Sequence, residues 1–498
     1  MKKVLAVAML TLSPFVYAKD LTIAINADPD ALDPDTSTSM VGREVFTNIF
    51  DKLIDINQDL SFKPMLATSW AWSTDMRSLE MTLRDDVIFH DGSKFNAEVV
   101  KFNIDRSKNM ESSRRKGDLK IVETVDVVDE YTVRFNLSEP FSPLLAALAD
   151  RSGMMVSMTA AKQANEAFSK MPIGSGPYQF ESRVAQDKIV LDKNDSYWEA
   201  DHYHFEKVTY LPLPDTTIRL ANLKSGQVDI AERIAPTDIA SLKSEDRLTL
   251  VEAAGIGFNG ITFNLGYGLN QGKESAVKNA DVRKAFELSI DRNIVNQVVF
   301  SNQYIAGNQW VPPNSSFYDK NATFPARDIT AAKQLLEKAG KPNPTIDFMV
   351  PNTTENLHIA QVIQAMAGEA GFVLNIKATE FATSLQKQAQ GDYEMFLIGW
   401  SGRIDPDGNI FSYYSKGGAL NENNYNNNDV QTLISKARSE DQHEIRVDLY
   451  QQAMKTVLND RPYLYLYHPK WQWGVSKDIT GFKGYGDGMP RLRDVIKQ

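Results

Sequence analysis

VTYLPLPDTTIRLANLKSGQVDIA, residues 208–231, carries the strongest fold signal in the chain. An apolar strand begins at Val208, and Asp215 follows as a residue type that caps helix N-termini. Thr216–Lys224 then has helical character, Gly226 is a typical helix stop, and a second apolar run closes the segment. The order strand, helix, strand predicts a mixed α/β architecture.

The same alternation extends in both directions. Upstream, Leu21–Ile25 and Met81–Arg84 alternate apolar and polar residues, which predicts strands. Downstream, further patterns predict strands at 261–265 and 463–467, a helix over 329–338 capped by Asp328, and a helix ending near Gly371. The sequence shows neither an internal repeat nor a Gly/Ser linker, so we expect the domains to be joined by strands that cross between them.

Length and composition bound the class of protein. A chain of 498 residues exceeds the roughly 250–300 residues at which one core stops growing, so we expect two to four domains. With 24% charged and 42% hydrophobic residues, the composition is that of a globular protein. The net charge of −10 disfavours general binding to nucleic acid or anionic lipid. The absence of cysteine excludes disulfides, thiolate nucleophiles and cysteine-ligated metals.

The first 18 residues, MKKVLAVAMLTLSPFVYA, have the form of a secretory signal peptide. Two lysines precede a short apolar run, and Ala18 is a small residue at the expected cut. The run is shorter than the about 20 residues needed to span a bilayer. No cysteine follows, so no lipid can be attached there. We therefore expect an unlipidated protein exported to the periplasm.

Motifs for catalysis or cofactors are weak. Gly399–Gly402 resembles the start of a nucleophile elbow, but Arg403 stands where that motif requires glycine. His202 and His204 have chelate-like spacing, and an exposed polar turn is the alternative. Asp405–Asn409 lacks the later glycine and glutamate of a calcium loop. We predict no catalytic residue, no metal site and no cofactor.

Several segments, taken in order, resemble family 5 of the bacterial extracellular solute-binding proteins, the dipeptide, oligopeptide, glutathione and nickel-binding components of ABC importers. They run across nearly the whole mature chain, and only the ordered set is specific. They are Ala31–Pro34, Leu83–Asn103, Ile173–Tyr178, Tyr197-Trp198, Arg219 to Asp229, Val282–Ala285 with Ile290–Arg292, and Gly399-Trp400.

The resemblance implies an α/β, two-lobed periplasmic binding-protein fold with a hinge and an extra domain inserted in the first lobe. Ligand would be enclosed between the lobes, and closure would be read by the membrane permease. The implied division is residues 19–56, 172–258 and 462–498 for domain I, 57–171 for the inserted domain II, and 259–461 for domain III, the second lobe.

A polar loop after an apolar strand is the main candidate site. The strand ends near Ile398, and glycines and a proline then force a loop, where binding groups often sit. A solvated connection is the alternative. The candidate ligand-binding residues of this loop are Trp400, Ser401, Gly402, Arg403, Asp405 and Asp407.

The loop departs from the pattern of dipeptide-binding relatives. In those relatives an acidic residue holds the ammonium group of the ligand, and Arg403 stands at the matching position here. They also bind the ligand carboxylate with an arginine, but the matching segment here, Asn352–Asn356, contains no arginine. A guanidinium suits a carboxylate, sulfate or phosphate. Asp405 and Asp407 are expected either to hold Arg403 or to bind a ligand ammonium.

Three residues outside the loop complete the candidate set. Arg151 could reach the cleft from the inserted domain, and a surface ion pair with Asp150 is the alternative. Trp310 and Trp471 are candidate cleft walls because indole offers a large apolar area and one donor, although core packing is the alternative for each.

Two functional hypotheses from different classes follow. The first is a monomeric periplasmic protein that delivers a small peptide or peptide-like charged solute to an ABC permease, with a non-peptide organic anion or amino-acid-derived solute as its second form. The second is a secreted hydrolase that uses Asp405 and Asp407 as a carboxylate pair.

Overall fold

A seven-stranded, a six-stranded and a four-stranded β-sheet organise the computed structural model, which describes residues 20–418 and 420–498. The predicted signal peptide, 1–18, lies outside the described residues. In spatial order the seven-stranded sheet contains Leu248–Ala254, Lys470–Ser476, Ile230–Ala231, Leu21–Ile25, Lys207–Pro212, Lys188–Lys193 and Tyr178–Val184. The six-stranded sheet contains Ile305–Ala306, Tyr463–His468, Phe258–Phe263, Met395–Trp400, Thr345–Pro351 and Val373–Thr379.

The four-stranded antiparallel sheet lies in the predicted inserted domain. Its strands are Ala67–Trp72, Ser78–Leu83, Thr132–Leu137 and Val122–Asp129. Two small ribbons pair Ile54–Ile56 with Phe62–Pro64 and Ile479–Thr480 with Ile496–Lys497. The α-helices are Met40–Ile49, Ala97–Asn109, Leu144–Leu148, Met158–Ala164, Thr216–Ser225, Ile239–Lys243, Ala280–Ser289, Arg292–Phe300, Ile329–Lys338, Thr354–Gly368, Phe381–Gln390, Asp407–Tyr414, Asn428–Arg438 and His443–Asp460.

The segment 208–231 folds as its pattern predicts, with one difference. Asp215 accepts a hydrogen bond from the amide of Ile218 at 2.9 Å, and the helix Thr216–Ser225 ends at Gly226, whose φ is 78°. The strand after it is shorter than predicted, Ile230–Ala231. The strand begins late because the N–H groups of residues 227 and 228 donate to the carbonyl of Asn222 at the end of the helix, and so are not free to pair in the sheet.

The strand Tyr463–His468 is buried on both faces, although its sequence alternates. Leu464 and Leu466 pack into one core of the six-stranded sheet, whereas Tyr463 and Tyr465 pack into the core on the opposite face. Both tyrosines are at most 3% exposed. The alternating side chains of this strand therefore point into two different cores, and neither set faces solvent.

The chain passes between the two large sheets at two adjacent crossings. One lies at 255–257, between Leu248–Ala254 and Phe258–Phe263, and the other lies at Pro469. The amide of Gly255 donates to the carbonyl of Pro469 at 3.0 Å, so the crossings are tied together. The two large sheets are therefore joined by strands that cross between them rather than by a Gly/Ser linker.

The domain division remains a proposal. It assigned 462–498 to the first lobe, but Tyr463–His468 pairs with Phe258–Phe263 of the six-stranded sheet. We therefore propose that the chain returns to the first lobe at Pro469, where the next strand joins the seven-stranded sheet.

Candidate functional site between the lobes

The loop that follows Met395–Trp400 passes tightly against the first crossing. Gly402 has a φ of 86°, and a Cβ atom there would lie 2.4 Å from the backbone of Ile256. Glycine is required at this position, because a side chain would meet both left-handed strain and a backbone clash. The loop is thus anchored to the crossing strands.

Trp400 and Asn409 fix the position of Arg403. The guanidinium lies over the indole of Trp400, 4.3 Å from the ring centroid, and donates to the carbonyl of Gly402 at 2.8 Å. The Asn409 side-chain oxygen accepts from the Arg403 amide at 2.8 Å and from the Trp400 indole at 3.0 Å. These contacts therefore hold the Arg403 guanidinium in a fixed position.

Arg403 faces charged groups of the first lobe. The pKa of its guanidinium is lowered by burial, while the charge of Asp150 opposes this effect. Asp150 receives an ion pair from Arg43 at 3.0 Å. Burial alone would raise the pKa of Asp150, but the charges of Arg43, Arg151 and Arg403 hold it well below the usual range.

Arg151 lies beside this carboxylate and is 6% exposed. It donates to the carbonyls of Ser37 at 3.0 Å and Ser39 at 3.4 Å. Burial lowers its pKa to about 9, and the positive charges of Arg43 and its neighbours act in the same direction. Arg151 is therefore not a surface residue, although the charge of Asp150 acts on its guanidinium as the alternative expected. Its role in ligand binding stays a prediction.

Direct contacts hold the two lobes together next to these residues. The amide of Ser142 in the inserted domain donates to the carbonyl of Arg438 at 3.0 Å. The guanidinium of Arg438 lies between the rings of Phe141, at 4.7 Å, and Phe411, at 3.6 Å. Ile404 of the second lobe packs against the core of the inserted domain. The arginines and Asp150 therefore lie at the junction of the lobes.

Comparison with known proteins identifies the architecture. Residues 61–422 match the family model described as bacterial extracellular solute-binding proteins, family 5, middle. The chain belongs to this family. The family 5 protein accordingly has the two-lobed α/β fold of periplasmic binding proteins, and the predicted family and fold class are confirmed.

Relatives match over almost the whole family 5 chain. A glutathione-binding protein, GsiB, from Pectobacterium atrosepticum is 27% identical over 501 residues, covering 98% of this chain and 96% of the relative. A probable D,D-dipeptide-binding periplasmic protein, DdpA, from Escherichia coli is 27% identical, covering 96% and 95%. The periplasmic binding protein DppA from Helicobacter pylori, solved with the peptide STSA, superposes with a TM-score of 0.84 at 25% identity, covering 96% and 98%.

Asp405 and Asp407 of the family 5 protein do not hold Arg403, contrary to one of our expectations. Asp405 accepts two hydrogen bonds from Arg446, at 2.9 and 2.7 Å. Asp407 pairs with Arg438 at 3.0 Å and accepts from Tyr450 at 3.2 Å, and burial raises its pKa to about 6. Both carboxylates thus fix helices behind the loop, and a role in ligand binding stays an untested prediction.

The remaining predicted site residues fall in different surroundings. Ser401 is an exposed residue of the loop. Trp471 is half-buried, donates to the carbonyl of Gly486 at 2.9 Å and lies under Arg233 at 5.1 Å. Trp310 is 1% exposed inside an aromatic core, so the expectation that it forms a cleft wall is wrong.

Sequence reasoning missed several residues that the fold brings to Arg403. They come from distant segments, and the weak sequence signal available was the basic run 114–116. They are Arg43, Arg115, Asp118 and Asp150.

Glu44 neighbours Arg43 on the helix Met40–Ile49 and is 1% exposed, with Oε1 lacking a hydrogen-bond partner. Burial and the nearby carboxylate of Glu232 raise its pKa well above the usual value. The folded state therefore keeps a proton that the unfolded chain releases above pH of about 4.3. Protonated Glu44 therefore stabilises the folded state at low pH, and this contribution is lost as the pH rises.

We expect Glu44→Gln to stabilise the protein increasingly as the pH rises from 4.5 to 8. The gain is bounded by about 1.4 kcal/mol per pH unit, since glutamine removes the cost of ionising a buried acid. Thermal melts of both proteins across this range measure it, with the exposed Glu98→Gln as control. A melting-temperature difference that does not change with pH contradicts the assignment.

A cavity of about 750 Å³ lies elsewhere, within the first lobe. Its lining includes Asp55, which is paired with Lys52 at 2.6 Å, Lys63 at 3.3 Å and Arg491 at 3.1 Å. The charge of Asp55 is therefore satisfied by neighbouring cations of the cavity wall.

Within the described part of the chain, no group of three or more histidine or acidic side chains is placed to hold a metal ion. His202 instead bonds Asp494 at 2.6 Å. Among residues 20–418 and 420–498, no helix has the length and apolar character needed to span a bilayer.

Proposed function

We propose that this family 5 protein binds a small, charged peptide or peptide-like solute between its lobes and delivers it to an ABC permease. The observation that carries the proposal is the support of Arg403 on Trp400, which aims a guanidinium from the second lobe at the charged groups of the first. A positioned guanidinium in a water-depleted junction binds an acidic group strongly.

Two further observations support the solute class. Relatives with almost full coverage are described as binding glutathione and D,D-dipeptides, and a structural relative was solved with a peptide. Arg403 replaces the acidic residue expected for a dipeptide ammonium, so a non-peptide organic anion is the second candidate. Within the predicted set, the contacts favour Trp400, Ser401, Gly402, Arg403 and Arg151.

The cellular setting belongs to the same proposal. We infer that residues 1–18 direct export, that the mature protein is an unlipidated monomer in the periplasm, and that it returns its solute chemically unchanged. The paired state of Asp405 and Asp407 weighs against the hydrolase hypothesis, since their oxygens are engaged by Arg446 and Arg438.

Arg403→Ala tests the proposal in a thermal-shift screen with dipeptides, tripeptides, glutathione and organic acids. We expect at least one compound to stabilise the wild type by an increment that grows as RT ln(1 + [L]/Kd), and the variant to lose that increment. The unliganded melting temperature should change little, because the variant loses the attraction to Asp150 and a cation–π contact of about 0.5–2 kcal/mol but is also relieved of repulsion from Arg43 and Arg115.

Lys377→Ala is the matched control, since this second-lobe cation is exposed and pairs with Asp347 at 3.6 Å. It should keep the full ligand response. Equal ligand responses in the wild type and Arg403→Ala contradict the proposed site, and chemical conversion of the bound compound contradicts the proposed transport role.

A further inference from the structure

Four arginines converge at the junction of the lobes. Arg115 and Arg151 donate to the same acceptor, the carbonyl of Ser37, at 3.3 and 3.0 Å. Arg43 and Arg403 act electrostatically on Arg151 as well. We call Arg43, Arg115, Arg151 and Arg403 the arginine cluster.

Two carboxylates pair directly with arginines of the cluster. Asp150 pairs with Arg43 at 3.0 Å. Asp118 pairs with Arg115 at 3.2 Å and also accepts from the hydroxyl of Ser152 at 3.0 Å. Asp487 also acts on Arg43, but it is paired with Arg491 at 2.8 Å. Four guanidinium groups therefore share two directly paired carboxylates, and two positive charges lack a direct carboxylate partner.

Asp30 is another carboxylate near the arginine cluster. It is bonded to Ser37, whose carbonyl accepts from Arg115 and Arg151, but its oxygens already have other hydrogen-bond partners. They accept hydrogen bonds from the hydroxyl groups of Ser37, Thr38 and Ser39, at 2.6 to 2.9 Å, and from the amide of Thr38 at 2.7 Å. Asp30 thus serves to shape the loop.

The excess charge is costly because it is buried. Arg43, Arg115 and Arg151 are each 6–7% exposed, and a guanidinium does not lose its proton near neutral pH. Burial lowers the pKa of Arg151 to about 9, which leaves it charged. The Nε atoms of Arg115 and Arg151 have no hydrogen-bond partner. Buried donors and charges of this kind call for a counter-ion.

We propose that the solute carries two acidic groups, which the arginine cluster binds together. This inference rests on the proposed function and narrows its substrate class. The shared chemistry is that of a diacid, supplied either by a peptide with an additional carboxylate or by a dicarboxylic acid without an amine. Arg115, Arg151 and Arg403 donate to the acidic groups, and Asp150 keeps Arg43 in place.

Matched probes that differ by one carboxylate test the inference by calorimetry. Ala-Glu is compared with Ala-Gln, and glutathione with its monoethyl ester, while glutarate represents a diacid without an amine. We expect the diacid of each pair to bind roughly tenfold or more tightly, the value of one charge-assisted hydrogen bond. Comparable binding of glutarate identifies an organic acid as the source, and weak binding of glutarate identifies a peptide.

Arg115→Gln and Arg115→Lys test the role of the arginine cluster. We expect Arg115→Gln to reduce the affinity ratio of each pair toward one, and Arg115→Lys to retain most of it because the charge remains. Arg134→Gln is the control, since Arg134 lies on the outer sheet of the same domain and pairs with Glu80 at 2.7 Å. It should leave the ratio unchanged.

The outcomes separate this inference from the proposed function. Equal affinities within both pairs, or mass spectrometry showing that the solute released from the purified protein has a single acidic group, overturn the diacid and leave solute binding intact. An affinity ratio that Arg115→Gln leaves unchanged overturns the role of the cluster. If every probe fails to bind and no solute co-purifies, the proposed function is overturned together with this inference.

Discussion

We expect Asp405→Ala to lower the free energy of unfolding by about 3–5 kcal/mol, the cost of leaving a buried charge without its partner. Asp405 is 7% exposed and accepts both hydrogen bonds of a bidentate pair with Arg446. It also accepts from the amide of Asp407 at 2.9 Å, at the start of the helix Asp407–Tyr414. The substitution removes a link between this helix and His443–Asp460.

Urea denaturation of the unliganded protein measures this effect. Asp448→Ala is the control, because this residue is exposed on the helix of Arg446 and its carboxylate accepts a hydrogen bond from Gln452 at 2.6 Å. Its effect should stay within about 0.5 kcal/mol. Adding Arg446→Met to Asp405→Ala should recover part of the loss. Unchanged stability with lost ligand binding would instead return Asp405 to the binding site.

Local elements were predictable from sequence because their causes are local. Asp215 caps the helix Thr216–Ser225 and Gly226 ends it, as the segment predicts. Asp328 likewise caps the helix Ile329–Lys338, accepting from the amide of Ala331 at 2.9 Å. The burial of an element was less predictable, because it depends on what packs against it. In the strand Tyr463–His468, layers on both sides of the sheet bury residues that an alternating pattern would place in solvent.

Only the part of the candidate site that lies in one continuous stretch of sequence was predictable. The loop 400–409 was found from its glycines and its preceding strand, but the partners of Arg403 come from the helix Met40–Ile49 and from the inserted domain. Nearness in sequence also misled the assignment of Asp405 and Asp407. The loop turns into a helix at Asp407, which directs both carboxylates back toward Arg446 and Arg438 rather than toward Arg403.

The second large effect is expected for Trp310→Ala, which should cost about 3–5 kcal/mol of stability while leaving solute affinity near that of the wild type. The indole is buried against Tyr450, with ring centroids 5.4 Å apart, and against Phe317 at 6.4 Å. Truncation leaves a large cavity in this core. The link to the site is the carbonyl of residue 310, which accepts from Asn409 at 3.3 Å and is retained in alanine.

Denaturation and calorimetry at a temperature where Trp310→Ala remains folded separate the two effects. Leu269→Ala serves as the control for stability, since Leu269 is 56% exposed. Because Asn409 keeps its anchor, it continues to hold both Trp400 and Arg403, and the guanidinium stays aimed at the first lobe. Lost affinity at unchanged stability would place Trp310 against the solute, as its sequence context first suggested, and would contradict its position in the aromatic core.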